Sequence, residues 1–192
     1  CDGDNKFFFG TTGVYGNRYA NFLVQNCDFL ISIGSRLDTR VTGGRPDTFA
    51  KKAFKVINDI DKNELSKRRG LVPNISVESD SKIFINIFLD KIKKNKEFPK
   101  NYTNWIKKCH SLKKAFPIVD KKYYLQKKFV NPYVFFETLS NNLNKKDIIL
   151  ADTGAHLTWF MQTHKIKLGQ RVISAFGNSP MGYSLPASIG AS

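Results

Sequence analysis

Gly10-Thr-Thr-Gly-Val-Tyr-Gly-Asn-Arg-Tyr-Ala-Asn-Phe-Leu-Val-Gln25, followed shortly by Phe29-Leu-Ile-Ser-Ile33 and Gly34, decides the fold class of this chain. The glycines lead into a predicted helix over 17–25, and the apolar run ending at Gly34 predicts a buried strand. Phe54–Ile60 predicts a second strand and Asn74–Val77 a short third. From Ser79, a good N-cap, apolar residues fall at 83, 84, 87, 88 and 92, a helical stripe. Helices alternating with short apolar strands predict a parallel, Rossmann-like α/β domain over 1–97.

A second α/β segment is expected over 131–192. Asn131-Pro132 is an N-cap followed by proline at the first helical position, starting a helix to about Asn142. The strand Asp147–Ala151 follows, then Asp152-Thr-Gly-Ala-His156 and another helix. The strand Arg171–Ser174 comes next, and Gly177-Asn-Ser-Pro-Met-Gly182 opens a further helix. That helical pattern runs to Ser192 without a closing cap, so the chain is expected to be part of a longer one.

The 192 residues carry 31 Lys+Arg against 16 Asp+Glu, a formal charge of +15 that raises the question of nucleic acid. The distribution argues against it. Residues 1–90 hold 13 basic and 11 acidic side chains, and residues 129–192 hold 5 and 3. Residues 91–128 hold 13 lysines against Glu97 and Asp120, so most of the excess lies in one connector, 98–130, and its flank. Lysines outnumber arginines 24 to 7, and arginine is the bidentate reader of bases and phosphates. Tyr102, Trp105, Ile106, Leu112 and Phe116 space the connector as one amphipathic helix with lysines on its wet face. No nucleic-acid or membrane partner is expected: no apolar run reaches the roughly 20 residues of a spanning helix. Three cysteines without C-x-x-C spacing predict neither a disulfide framework nor a zinc ribbon, and the default setting is cytoplasmic. At 41% hydrophobic residues the chain is too apolar for a disordered one.

Three loops could present helix N-termini to a phosphate: Gly10–Gly16, Gly34–Asp38 and Asp152–His156. None is G-x-G-x-x-G or a Walker A loop, and ordinary turns explain each one singly. No Ser/His/Asp or Cys/His set offers a catalytic residue. Asp2-Gly-Asp4-Asn5 lacks calcium-loop spacing and reads as a polar turn.

Taken in order, these stretches resemble the thiamine diphosphate-dependent enzymes, and within them the acetolactate synthases. Residues 10–21, 27–43, 47–50 and 56–61 are similar to the start and body of that family's central domain, a six-stranded parallel α/β unit. Residues 152–156 and 180–191 are similar to the opening of its thiamine diphosphate domain. The resemblance implies a decarboxylase or carboligase of a 2-oxo acid, working as a homodimer or homotetramer with thiamine diphosphate and Mg2+. It implies that Thr153, Gly154 and His156 lie at the diphosphate, with Ser179 and Met181 against the bent cofactor, Met181 as its apolar wedge. Elsewhere methionine would be core filler; His156 is the foremost candidate for a diphosphate contact, its alternative being a ligand-free surface histidine. Gly34, Arg36, Asp38 and Asp59 match positions that hold FAD or an ADP moiety in some relatives; Arg36 and Asp38 could instead pair with each other. A flavin- or nucleotide-binding module is the alternative reading. Ala155, Tyr15 and Ser179 stand where relatives often have glutamine, histidine and glycine. The activating glutamate is expected before residue 1 and the magnesium motif after residue 192, so this segment alone is expected to be inactive.

Overall fold

A computed structural model describes residues 3–67, 70–95 and 101–192. The chain is α/β and divides into two compact units, residues 21–112 and residues 1–20 with 113–192. The expected boundary at residue 97 lies outside the described residues.

In the first of these units, β1 (Phe29–Ile33), β2 (Phe54–Asp59) and β3 (Ile75–Glu78) form a parallel sheet in the order β1-β2-β3. Phe29 lies opposite Phe54, and Val56 opposite Ile75. Among the described residues the sheet has three strands, against six in the domain the sequence resembles. Central β2 is the most buried: Val56, Ile57 and Asn58 are all inside. Phe49, Ala50 and Ala53, which lead into β2, form the core with Val24, Leu30, Leu37 and Val41 packed on them.

Helix α1 (Arg18–Gln25) precedes β1, and the four-residue α2 (Thr39–Thr42) and α3 (Lys62–Ser66) follow β1 and β2. Helix α4 (Ser81–Lys94) is capped by Asp80, which accepts from Lys82 N and Ile83 N, and not by Ser79. Ser79 is used otherwise: its Oγ and carbonyl both accept from Asn58 Nδ2 at 2.9 Å. The inward stripe of α4 is Phe84, Phe88 and Ile92, with Phe84 and Phe88 stacked at 5.7 Å. Ile83 and Ile87, expected in that stripe, are exposed. Helix α5 (Thr103–Ala115) has Trp105, Ile106, Cys109 and Leu112 shielded and Lys107, Lys108, Lys113 and Lys114 exposed. Tyr102 lies outside the helix and is exposed, while Cys109 is its buried member.

In the other unit α6 (Pro132–Asn142) begins as its sequence predicts, with Asn131 accepting from Tyr133 N at 3.0 Å. β4 (Ile148–Leu150) pairs in parallel with β5 (Arg171–Ile173) across α7 (Ala155–Thr163), and α8 (Ser184–Ala191) follows. Both strands are shorter than expected, and at the start of β4 the Asp147 carboxylate accepts from Asn144 N at 2.6 Å, closing a turn there. Ala151, Leu157 and Phe160 form the core with Phe136, Ile149 and Val172. The glycine-rich start belongs to this unit. Buried Asn17 accepts from Thr11 N at 2.9 Å and donates to Gln162 O at 2.8 Å. Gln162 Nε2 returns a bond to Gly16 O at 3.0 Å, and Tyr133 OH donates to Gln162 Oε1 at 2.9 Å. Among the described residues no helix is long and apolar enough to cross a membrane.

Candidate cofactor site

The loops after β4 and β5 both lie at the carboxyl ends of two parallel strands, where open α/β sheets present their crevice. The first loop is built on Gly154. Its backbone (φ 156°, ψ −177°) falls in a region essentially reserved for glycine. A Cβ there would meet His156 Cε1 and Nδ1 at 2.9 Å, so the imidazole lies over the bare Cα. Gly154 gives α7 no side-chain cap, and the N–H groups of Ala155 and His156 have no acceptor among the described residues. These donors, with the positive end of the α7 dipole and the exposed His156, suit a diphosphate. The residues present therefore fit the thiamine diphosphate implied by the sequence.

Asp152 organises the second loop. Its Oδ1 accepts from Thr153 N at 2.8 Å, and Oδ2 accepts from Gly182 N at 2.8 Å and Ser184 Oγ at 3.4 Å. The N–H of Thr153, then those of Gly182, Ser184 and Tyr183, hold its carboxyl below the usual carboxylate range against partial desolvation. Ser179 has a left-handed backbone (φ 50°), which explains why glycine suits this place; its N–H donates to Ala175 O at 2.8 Å. Met181 is 87% exposed, so it is not core filler. Tyr15 meets Phe176 edge to face at 5.6 Å, at the base of the same loop.

The other expected residues lie in the 21–112 unit. Arg36 and Asp59 line a narrow cleft of about 30 Å³ at the carboxyl ends of β1 and β2, together with Leu37, Ile57, Glu64 and Lys67. Gly34 and Asp38 do not line it. Gly34 (φ 59°) donates to Asn58 O at 2.9 Å, and Asp38 caps α2, accepting from Arg40 N at 3.0 Å. Arg36 does not pair with Asp38; its Nε lies 3.2 Å from Glu64 Oε1, and Lys67 bonds the same carboxylate. Sequence reasoning missed Glu64, although a buried-strand end carrying Arg36 calls for a counter-ion, and Glu64 sits three residues after the N-cap Asp61.

The Gly10–Gly16 loop spends its donors internally, on Asn17 Oδ1 and on Gly13 O. Cys27 donates to Val24 O at 3.1 Å, and burial pushes both its thiol and that of Cys109 up, away from reactive thiolates. Among the described residues no cluster of His, Cys, Asp and Glu could hold a metal.

Residues 1–88 match the family described as thiamine pyrophosphate enzyme, central domain. The chain is 34% identical over 189 residues to the acetolactate synthase large subunit of Porphyra purpurea, covering 98% of this chain and 31% of that protein. It is 35% identical to the corresponding subunit of Cyanidium caldarium, covering 97% and 31%. The acetolactate synthase isozyme 2 large subunit of Escherichia coli is 29% identical, with 99% and 32% covered. The chain thus spans about a third of the length of the curated relatives it matches. Residues 1–88 thus match a thiamine pyrophosphate enzyme central domain, and nearly the whole chain is similar to part of acetolactate synthase large subunits.

Proposed function

We propose that this chain supplies the central domain and the diphosphate-binding half of the cofactor site in a thiamine diphosphate-dependent 2-oxo acid decarboxylase or carboligase. The observation that carries the reading is the uncapped N-terminus of α7 behind the side-chain-free Cα of Gly154. In this reading Thr153, Gly154 and His156 face the diphosphate, and the exposed Met181 supports the bent cofactor from below. Ser179 contributes its backbone carbonyl to the same face. Bound thiamine diphosphate supplies an electron sink for the carbanion that decarboxylation leaves behind. The chain's own residues bind, orient and shield; none of them is assigned a proton transfer. Mg2+ would be held by residues outside 1–192 and would neutralise charge on the diphosphate.

The cleft over β1 and β2 is the place for an FAD or ADP moiety. Arg36 and Lys67 would meet its phosphates only by loosening their pairing with Glu64, and Asp59 would face its ribose. A flavin absorption band in the purified intact protein tests that part. Relatives named as large subunits support a multisubunit assembly, which sedimentation of the intact protein tests.

The decisive experiment measures CO2 release from a panel of 2-oxo acids by the intact protein, with and without thiamine diphosphate and Mg2+. Cofactor-dependent release is expected, and residues 1–192 alone should show none. Release independent of the cofactor, or turnover by the isolated 192 residues, contradicts the reading.

A further inference from the structure

We propose that Asp152 is a positioning residue: its carboxylate joins the loop after β4 to the start of α8 and thereby sets where Met181 stands. This rests on the reading of Met181 as the cofactor's support. The Met181 loop stands open to solvent. Its side chain is 87% exposed, and a Cβ placed on Gly177 or Gly182 would find nothing within 4 Å. Two left-handed residues, Ser179 (φ 50°) and Gly182 (φ 84°), bracket Met181, so small changes in backbone torsion swing its side chain widely.

On the amino side the loop is pinned locally, by Ser179 N on Ala175 O at 2.8 Å and Ser179 Oγ on Phe176 O at 3.2 Å. On the carboxyl side the holding contacts go to Asp152: Gly182 N at 2.8 Å and Ser184 Oγ at 3.4 Å. Helix α8 has no cap of its own, since Tyr183 at the N-cap position makes no side-chain bond to it. Asp152, thirty residues away in sequence, instead braces the turn that leads into α8 from another loop. A carboxylate suits the task because the free N–H groups and the helix dipole both favour an anion there. The arrangement also separates the two helix ends at the crevice. The α8 end is filled by a protein carboxylate, while the α7 end is left for the cofactor's diphosphate.

The test is a double-mutant cycle in the intact protein, reading kcat for cofactor-dependent decarboxylation, the thiamine diphosphate concentration giving half-activation and, without cofactor, amide exchange over residues 179–184, which Asp152→Asn should speed. Asp152→Asn should lower kcat by about tenfold or more, the scale of a displaced positioning contact, while half-activation shifts by less than about threefold. In a Met181→Ala background the same change should cost less than about twofold, because residues acting as a unit are not additive. Asp152→Glu, which keeps the charge on a longer arm, should fall between and show the same non-additivity; it also serves if the Asn variant does not fold. Equal losses with and without Met181, or an unchanged kcat, overturn the proposal while leaving the cofactor assignment standing. Absence of cofactor-dependent turnover in the unsubstituted protein overturns both.

Discussion

Single residues carry the most exact commitments. Asn58 is fully buried and donates to Val77 O at 3.1 Å and to both oxygens of Ser79 at 2.9 Å, stitching β2 to the end of β3. Asn58→Ala strands these acceptors and should cost about 1–3 kcal/mol, read as a lower urea midpoint with an unchanged slope. His164 makes a second commitment. It stacks on Phe160 at 4.6 Å and meets Gln170 Oε1 at 3.2 Å; burial first, then Lys167, holds its imidazole below the usual histidine range. A histidine with a lowered folded pKa binds its proton more readily when unfolded. Its stabilising effect is therefore present above its unfolded pKa, near 6.5, and is lost as pH falls through the folded value. Urea midpoints should drop from neutral pH toward pH ~5, and the drop should shrink in His164→Phe. Neither role was visible beforehand, because burial of a polar side chain depends on partners distant in sequence.

At the scale of elements, the starts of helices and the strand cores were legible and their uses were not. Asn131-Pro132 starts α6 as the pattern implies, and Phe29–Ile33 is a strand from end to end. Adjacent candidates such as Ser79 and Asp80 could not be told apart, since both residues cap well and only the tertiary demand of Asn58 assigns Ser79 elsewhere. The stripe of α4 narrowed for a related reason: apolar residues line most of the helix, so periodicity cannot show which face turns inward. The glycine-rich start reads as a phosphate loop from composition, yet Asn17 consumes its donors to hold Thr11 and Gln162. Asn17→Ala should destabilise the 1–20/113–192 unit by about 1–3 kcal/mol and raise amide exchange over residues 10–16. Exchange restricted to other segments would contradict that clamp.

For the whole molecule, the charge and the length both take narrower meanings. The lysines of α5 are an exposed face over a shielded stripe of Trp105, Ile106, Cys109 and Leu112, consistent with a solvated helix. The chain corresponds to about a third of its relatives, and the groups proposed to face the cofactor gather at the carboxyl ends of β4 and β5. The motifs at 152–156 and 180–191 were legible because backbone demands, Gly154 above all, show in composition. The bond between Asp152 and Gly182, which couples them, was not, since nothing local in sequence predicts a contact thirty residues distant. The proposed function turns on a diphosphate held at the start of α7. Titrating the intact protein with thiamine diphosphate in Mg2+, followed through Trp159 on that helix, tests it most directly. Saturable quenching is expected, weakening about tenfold or more in Gly154→Ala, where a Cβ would collide with His156 and strain the loop by roughly 1–3 kcal/mol. No saturable signal, or equal affinity in the two proteins, would contradict it.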